Sequence, residues 1–214
     1  TTLATAVFHR IAALFKHSSF ISNIRETSKK DNGLVSLQNK LIHDLFPNSV
    51  SLVNEVEEGS ISIRERVHDK KVLFVLDDVD DVCQLNALAG RRDWFYQGSR
   101  IIITTRNKDV LREHLVNEIY EVKELDSTES LQLFSYHAFG REKPAEHFMH
   151  LSEKIVSLTG QLPLALEVIG ASMFYKKGKE EWKDALEKLK QIQPGNLQGM
   201  LKITYDGLGE EEQC

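Results

Sequence analysis

The stretch Lys71-Val72-Leu73-Phe74-Val75-Leu76-Asp77-Asp78-Val79-Asp80-Asp81 constrains this chain more than any other. Five consecutive apolar residues, Val72 to Leu76, run directly into a pair of carboxylates. An apolar run this short, rich in Val and Leu, reads as a strand buried on both faces, the habit of a parallel sheet. Open α/β sheets bind ligands just beyond the carboxyl ends of their strands, which is where Asp77 and Asp78 fall. Acids placed there can hold a magnesium ion and polarise water beside a nucleotide triphosphate. A strand that simply exits into a solvated acidic loop has the same local pattern, so the rest of the chain decides.

Composition excludes several classes. The 214 residues suit one large domain or two small ones, and 41% hydrophobic with 28% charged residues describes an ordinary globular protein. A net charge of -5 and a pI near 5.9 argue against direct nucleic-acid binding through bulk charge. The short basic clusters Lys29-Lys30, Arg91-Arg92 and Lys176-Lys177 read as solvated surface. Cys83 and Cys214 are the only cysteines and have no ligand spacing, which points to a reducing compartment without a disulfide framework. The eight histidines form no H-x-x-x-H pair, so no zinc site is expected. No apolar run reaches the length of a membrane span, and no signal peptide opens the chain.

The ends have the look of cuts. Thr1 opens directly into a helical pattern, with Leu3, Val7, Ile11 and Leu14/Phe15 on one face over about residues 2–16, and the final Gly209 to Cys214 stops without terminating logic. The expectation is a fragment of a longer protein. Strand and helix then alternate. A strand is expected at Phe20–Ile24, followed by a polar loop to Gly33, and helices at Leu34–Leu45 and Ile61–His68. After Val72–Leu76, a short helix near Val82–Ala89 leads to Arg100–Arg106, a second buried β-branched strand introduced by Gly98-Ser99. A short helix at Val110–His114 and a strand at Ile119–Val122 complete the pattern of a parallel, doubly wound sheet. Near residue 125 the strands end. Asp126-Ser127-Thr128-Glu129 has the form of a helix N-cap with an acid three residues on, and further helices are expected at about 146–159, from Pro163, at 180–192 and at 197–205.

Taken in chain order, these residues resemble the NB-ARC module of plant disease-resistance proteins. Thr1-Thr2-Leu3-Ala4 is similar to the tail of its phosphate loop, G-x-x-x-x-G-K-T-T-L-A, with everything before the first Thr missing. Phe20 to Glu26 with Gly33-Leu34 and Leu37-Gln38 resembles the next block, Val72–Asp80 the Walker B block, and Gly98–Arg106 the one after it. Tyr120–Leu125 with Leu131 and Phe134, Gly160–Leu166, and Leu201–Leu208 complete seven blocks in order across the whole chain. The resemblance implies an α/β P-loop NTPase parallel sheet lacking its first strand and P-loop, over residues 1–125. An all-α helical (ARC1) subdomain would follow over 126–194, and the start of a winged-helix region over 195–214. In the family, Asp at the position of Asp80 accompanies an N-terminal toll/interleukin-1-receptor domain (the TIR-NBS-LRR type). That domain before this stretch, and leucine-rich repeats after it, would be intramolecular partners in the parent.

The resemblance also implies a site for ADP or ATP with Mg²⁺. Thr1 occupies the position whose hydroxyl ligates the magnesium, and Thr2 sits beside it at a helix start that favours anions. A simple polar N-cap is the plainer role for Thr1. Asp77 would hold the magnesium, and Asp78 would orient or deprotonate the attacking water, or else only hydrogen-bond neighbouring backbone. Arg106 resembles a sensor arginine for the γ-phosphate, though a lone strand-end Arg is otherwise solvated. Pro163 resembles the proline that packs on adenine, and also suits helix initiation. One departure is Gln161, where the family has Gly before Leu-Pro-Leu.

The implied function is a cytoplasmic or nucleocytoplasmic ADP/ATP switch in an immune receptor, with exchange opening the module for self-oligomerisation. Hydrolysis would be slow and serve resetting. The alternative is a turnover P-loop ATPase acting on a substrate, for which the sequence shows no substrate-handling element. A purely helical interaction module with a degenerate site is opposed by the intact Asp77-Asp78 pair. The missing strand lies mid-sheet in folds of this type, so residues 1–214 alone would expose apolar strand edges. They are expected to be poorly soluble and to bind no nucleotide measurably. Tight ATP or ADP binding by purified 1–214 would overturn this.

Overall fold

The computed structural model describes residues 1–47, 52–111, 116–176, 178–192, 196 and 198–199. The chain divides into two compact units, Thr1–Ile119 and Tyr120–Cys214, each with its own apolar core.

In the first unit α1 (Thr2–Ile11) is continued by a 3-10 turn, Ala12–Leu14, so the helix ends earlier than the apolar spacing suggests. Then follow β1 (His17–Ile21), α2 (Ile24–Ser28), α3 (Gly33–Leu45), α4 (Val56–Val67), β2 (Val72–Val79), α5 (Val82–Leu88) and β3 (Arg100–Thr105). The strands form one parallel sheet in the order β1-β2-β3. The first strand lies three residues earlier than Phe20–Ile24, because its ladder runs from His17 opposite Val72 to Ile21 opposite Leu76. Asn23, at φ 54°, turns the backbone out of the strand, and the fully buried Ile24 starts a helix inside the expected loop. A 3-10 turn spans Lys108–Leu111 where a helix was expected to 114, and residues 112–115 lie outside the described set.

The central strand is β2. Val72 to Leu76 are fully buried, as a strand paired on both edges and covered on both faces must be. By contrast β3 pairs on one edge only, and Ile101 to Thr105 are half-buried rather than buried. No strand forms at Ile119–Val122. No ladder partner lies beside it among the described residues, and Ile119, Tyr120 and Val122 are largely exposed. Beneath the sheet one amide joins three helices. Gln38 Nε2 on α3 donates to Val56 O at the start of α4 and to Ala87 O on α5, each at 2.9 Å. The contact needs Gly59, since a Cβ there would lie 2.0 Å from Gln38 Oε1.

The second unit is helical: α6 (Ser127–Phe139), α7 (Met149–Leu158), α8 (Pro163–Phe174) and α9 (Lys179–Lys190). The capping box read at α6 is present, with Asp126 Oδ1 accepting from Glu129 N–H at 2.8 Å and Glu129 Oε2 from Asp126 N–H at 3.0 Å. Trp182 fills the core, stacked on Phe139 and close to Phe134 and Phe148, and its indole N–H donates to Lys176 O at 2.9 Å. Before α8, Gly160 (φ 64°) and Gln161 (φ 59°) are both left-handed, which gives the position of Gln161 a physical preference for glycine. The helix expected at 197–205 and the winged-helix start fall almost wholly outside the described residues.

Two stability effects follow. Gly59→Ala is expected to destabilise by about 1–3 kcal/mol in denaturant unfolding, since the held Gln38 amide must move. Gln161→Gly is expected to stabilise by up to about 1 kcal/mol in the same measurement, by relieving a left-handed non-glycine residue.

Candidate nucleotide site

The ladder between β2 and β3 pairs Leu76 with Ile103 and then Val79 with Thr105. Asp77 and Asp78 on β2 therefore face a single residue, Thr104, on β3. This is a β-bulge, and Asp78 at φ 59° carries its left-handed turn. The two acids lie within the strand, not beyond it as the apolar run alone suggests. Thr104 holds the bulge with one hydroxyl: Oγ1 donates to Asp77 Oδ1 at 2.8 Å and accepts from Asp78 N–H at 2.9 Å.

Asp77 is 1% exposed. Thr1 Oγ1 donates to its carboxylate from 2.9 Å to each oxygen, a single proton shared between the two. Thr1 is the N-cap of α1, yet its side chain makes no capping bond; it turns to Asp77 instead. The plain N-cap role is thus not the one its hydroxyl plays. A buried carboxylate and a hydroxyl are hard oxygen donors, which suits magnesium, an ion that takes one or two protein ligands and fills its shell with phosphate oxygens and water. Among the described residues no three His, Cys, Asp or Glu side chains converge, so such an ion has no all-protein cage here.

Asp78 points elsewhere. Its Oδ2 lies 3.2 Å from Arg25 Nε and its Oδ1 3.5 Å from Arg106 Nε. Asp80 and Asp81 belong to the following turn. Gln84 Nε2 donates to Asp80 Oδ1 at 2.7 Å and to Ser28 Oγ at 2.8 Å, while Asp81 caps α5 by accepting from Cys83 N–H at 2.7 Å. The Cys83 thiol is exposed, and its hydrogen bond to Asp81 together with that carboxylate's charge pushes it above the usual thiol range, the opposite of an activated nucleophile.

Of the residues singled out from sequence, Thr1, Asp77, Asp78 and Arg106 come together at the carboxyl end of β2. Thr2 is exposed in the first turn of α1. Pro163 opens α8 in the second unit. Sequence reasoning gave no role to Arg25 or Thr104. The signal for Arg25 was topological: it follows β1, and neighbouring parallel strands bring their carboxyl ends to one edge. Thr104 had none, because a bulge shifts register without marking the sequence.

Among the described residues no helix is long and apolar enough to cross a membrane. The NB-ARC domain family model matches residues 1–144. Over the whole chain the protein is 40% identical to disease resistance protein RUN1 of Vitis rotundifolia, 41% to TMV resistance protein N of Nicotiana glutinosa, and 34% to probable disease resistance protein RPP1 of Arabidopsis thaliana. It spans 16%, 19% and 18% of their lengths respectively. A buried strand-end carboxylate bound by a helix-start threonine, in a chain matched over most of its length, assigns the protein to the NB-ARC family of nucleotide-binding domains.

Proposed function

We propose that this chain is the ADP/ATP switch of a plant immune receptor of the toll/interleukin-1-receptor type, acting in the cytoplasm or between cytoplasm and nucleus. The observation that carries this is the contact of the Thr1 hydroxyl with the buried Asp77 carboxylate at the N-terminus of α1. Free N–H groups of that helix start favour phosphate, and Thr1 with Asp77 would hold the magnesium that neutralises the phosphate charge. Arg106 follows the end of the neighbouring strand beside Asp78, where it could answer to a terminal phosphate. Asp78 would orient the attacking water, and Pro163 would pack on adenine. Subclass membership is supported by Asp80, at the position read from the family pattern. Leucine-rich repeats and the receptor-type domain in the longer protein, and self-assembly after exchange, belong to this proposal.

Slow hydrolysis fits the site better than sustained turnover, since both oxygens of Asp78 already face guanidinium groups. In the longer chain that carries these residues, purified protein is expected to release bound ADP on denaturation. Asp77→Asn should weaken Mg²⁺-dependent ATP retention by about 10–100-fold. Steady-state turnover should stay below about 10⁻² s⁻¹. Protein that carries no nucleotide and binds none would sink the switch, and rapid turnover would favour the ATPase reading.

A further inference from the structure

Asp78 is held by two guanidinium groups of different character. Arg106 is 77% exposed and lies past the end of β3, free to leave. Arg25 is 28% exposed, and its Nε is buried without a hydrogen bond of good alignment, although Asp78 Oδ2 lies 3.2 Å away. The other acid near Arg25 Nε is Glu26 at 3.4 Å, but Glu26 is 62% exposed and the same oxygen takes a 3.1 Å bond from Lys29. Arg25 is therefore committed to Asp78, with a donor still waiting for a straighter bond. Such bonds often tighten only when a site is loaded.

We propose that Arg25 is the positioning residue for Asp78. It anchors Oδ2 and so fixes the carboxylate on its left-handed bulge, whereas Arg106 is the arm that lets go. An anionic terminal phosphate drawing Arg106 away would leave Oδ1 open to water while Arg25 keeps the carboxylate aimed. Arg25 does not itself touch the reacting atoms; it acts by holding the group that does. A guanidinium suits this task because its charge is permanent and its planar donors fix direction.

The inference rests on the role proposed above for Asp78, and the test separates the two. In the longer chain, Arg25→Gln is expected to lower kcat for ATP hydrolysis about tenfold with little change in KM, the mark of a contact that matters in the transition state. Arg25→Lys should recover part of the loss. In nucleotide-free protein, thermal unfolding of Arg25→Gln, Asp78→Asn and the double variant should show shifts that do not add, as for residues in direct contact. Additive shifts, together with wild-type kcat in Arg25→Gln and an inactive Asp78→Asn, would overturn the assignment of Arg25 alone. Wild-type hydrolysis by Asp78→Asn would overturn the role of Asp78 and this inference with it. If Arg25→Gln does not fold, Arg25→Lys decides: unchanged kcat and KM would reject the positioning role, because Lys cannot reproduce the directed Nε contact.

Discussion

Pairing of β2 along both edges is the constraint on which the first unit depends. It is the only described strand with two neighbours, and burial of Val72 to Leu76 leaves its backbone no partner but the ladder. Once that strand is fixed, β1 and β3 deliver their carboxyl ends to the same edge. Thr1 reaches that edge from the start of α1, Arg25 from the first turn of α2, and Arg106 from just past the end of β3. Residues far apart in sequence thus meet because three parallel strands stop together.

At that edge two adjacent acids acquire different environments. Along an unbroken strand Asp77 and Asp78 would face opposite sides of the sheet and nothing more. With the bulge, Asp77 is buried and accepts hydrogen bonds from the hydroxyls of Thr1 and Thr104, while the Asp78 carboxylate lies between two guanidinium groups. A carboxylate hydrogen-bonded by hydroxyls offers hard oxygen to a metal cation beside them. A carboxylate set between guanidinium groups is already balanced, and its oxygens are rationed. The division of labour between the acids is therefore a matter of which partners the backbone lets each one see.

Much of this was legible in the sequence, for identifiable reasons. The apolar run of β2 declares its burial, Asp126 and Glu129 declare the start of α6, and Pro163 declares that of α8. The acids are readable because two carboxylates follow a buried apolar run, and Thr1 through the resemblance of Thr1-Thr2-Leu3-Ala4 to the tail of the family's phosphate loop. Three features were not. His17 is polar, so the first strand appeared to begin later than it does; its ring nitrogen is satisfied by Leu45 O at 2.8 Å, a partner 28 residues away. Ile119–Val122 has a strand's composition but no ladder partner, and composition does not supply one. The bulge leaves no trace because it depends on Thr104, a residue that any β-strand would tolerate.

The bulge also acts as a spacer. From Leu76 opposite Ile103, an unbroken ladder would set Asp77 against Thr104, Asp78 against Thr105 and Val79 against Arg106. Arg106 would then be a rung of the sheet, its backbone tied and its side chain committed to one face. One extra residue on β2 moves Val79 back to Thr105 and leaves Arg106 just past the last rung. The freedom of that arginine to swing is thus set on the neighbouring strand, by a count of residues and not by its own surroundings.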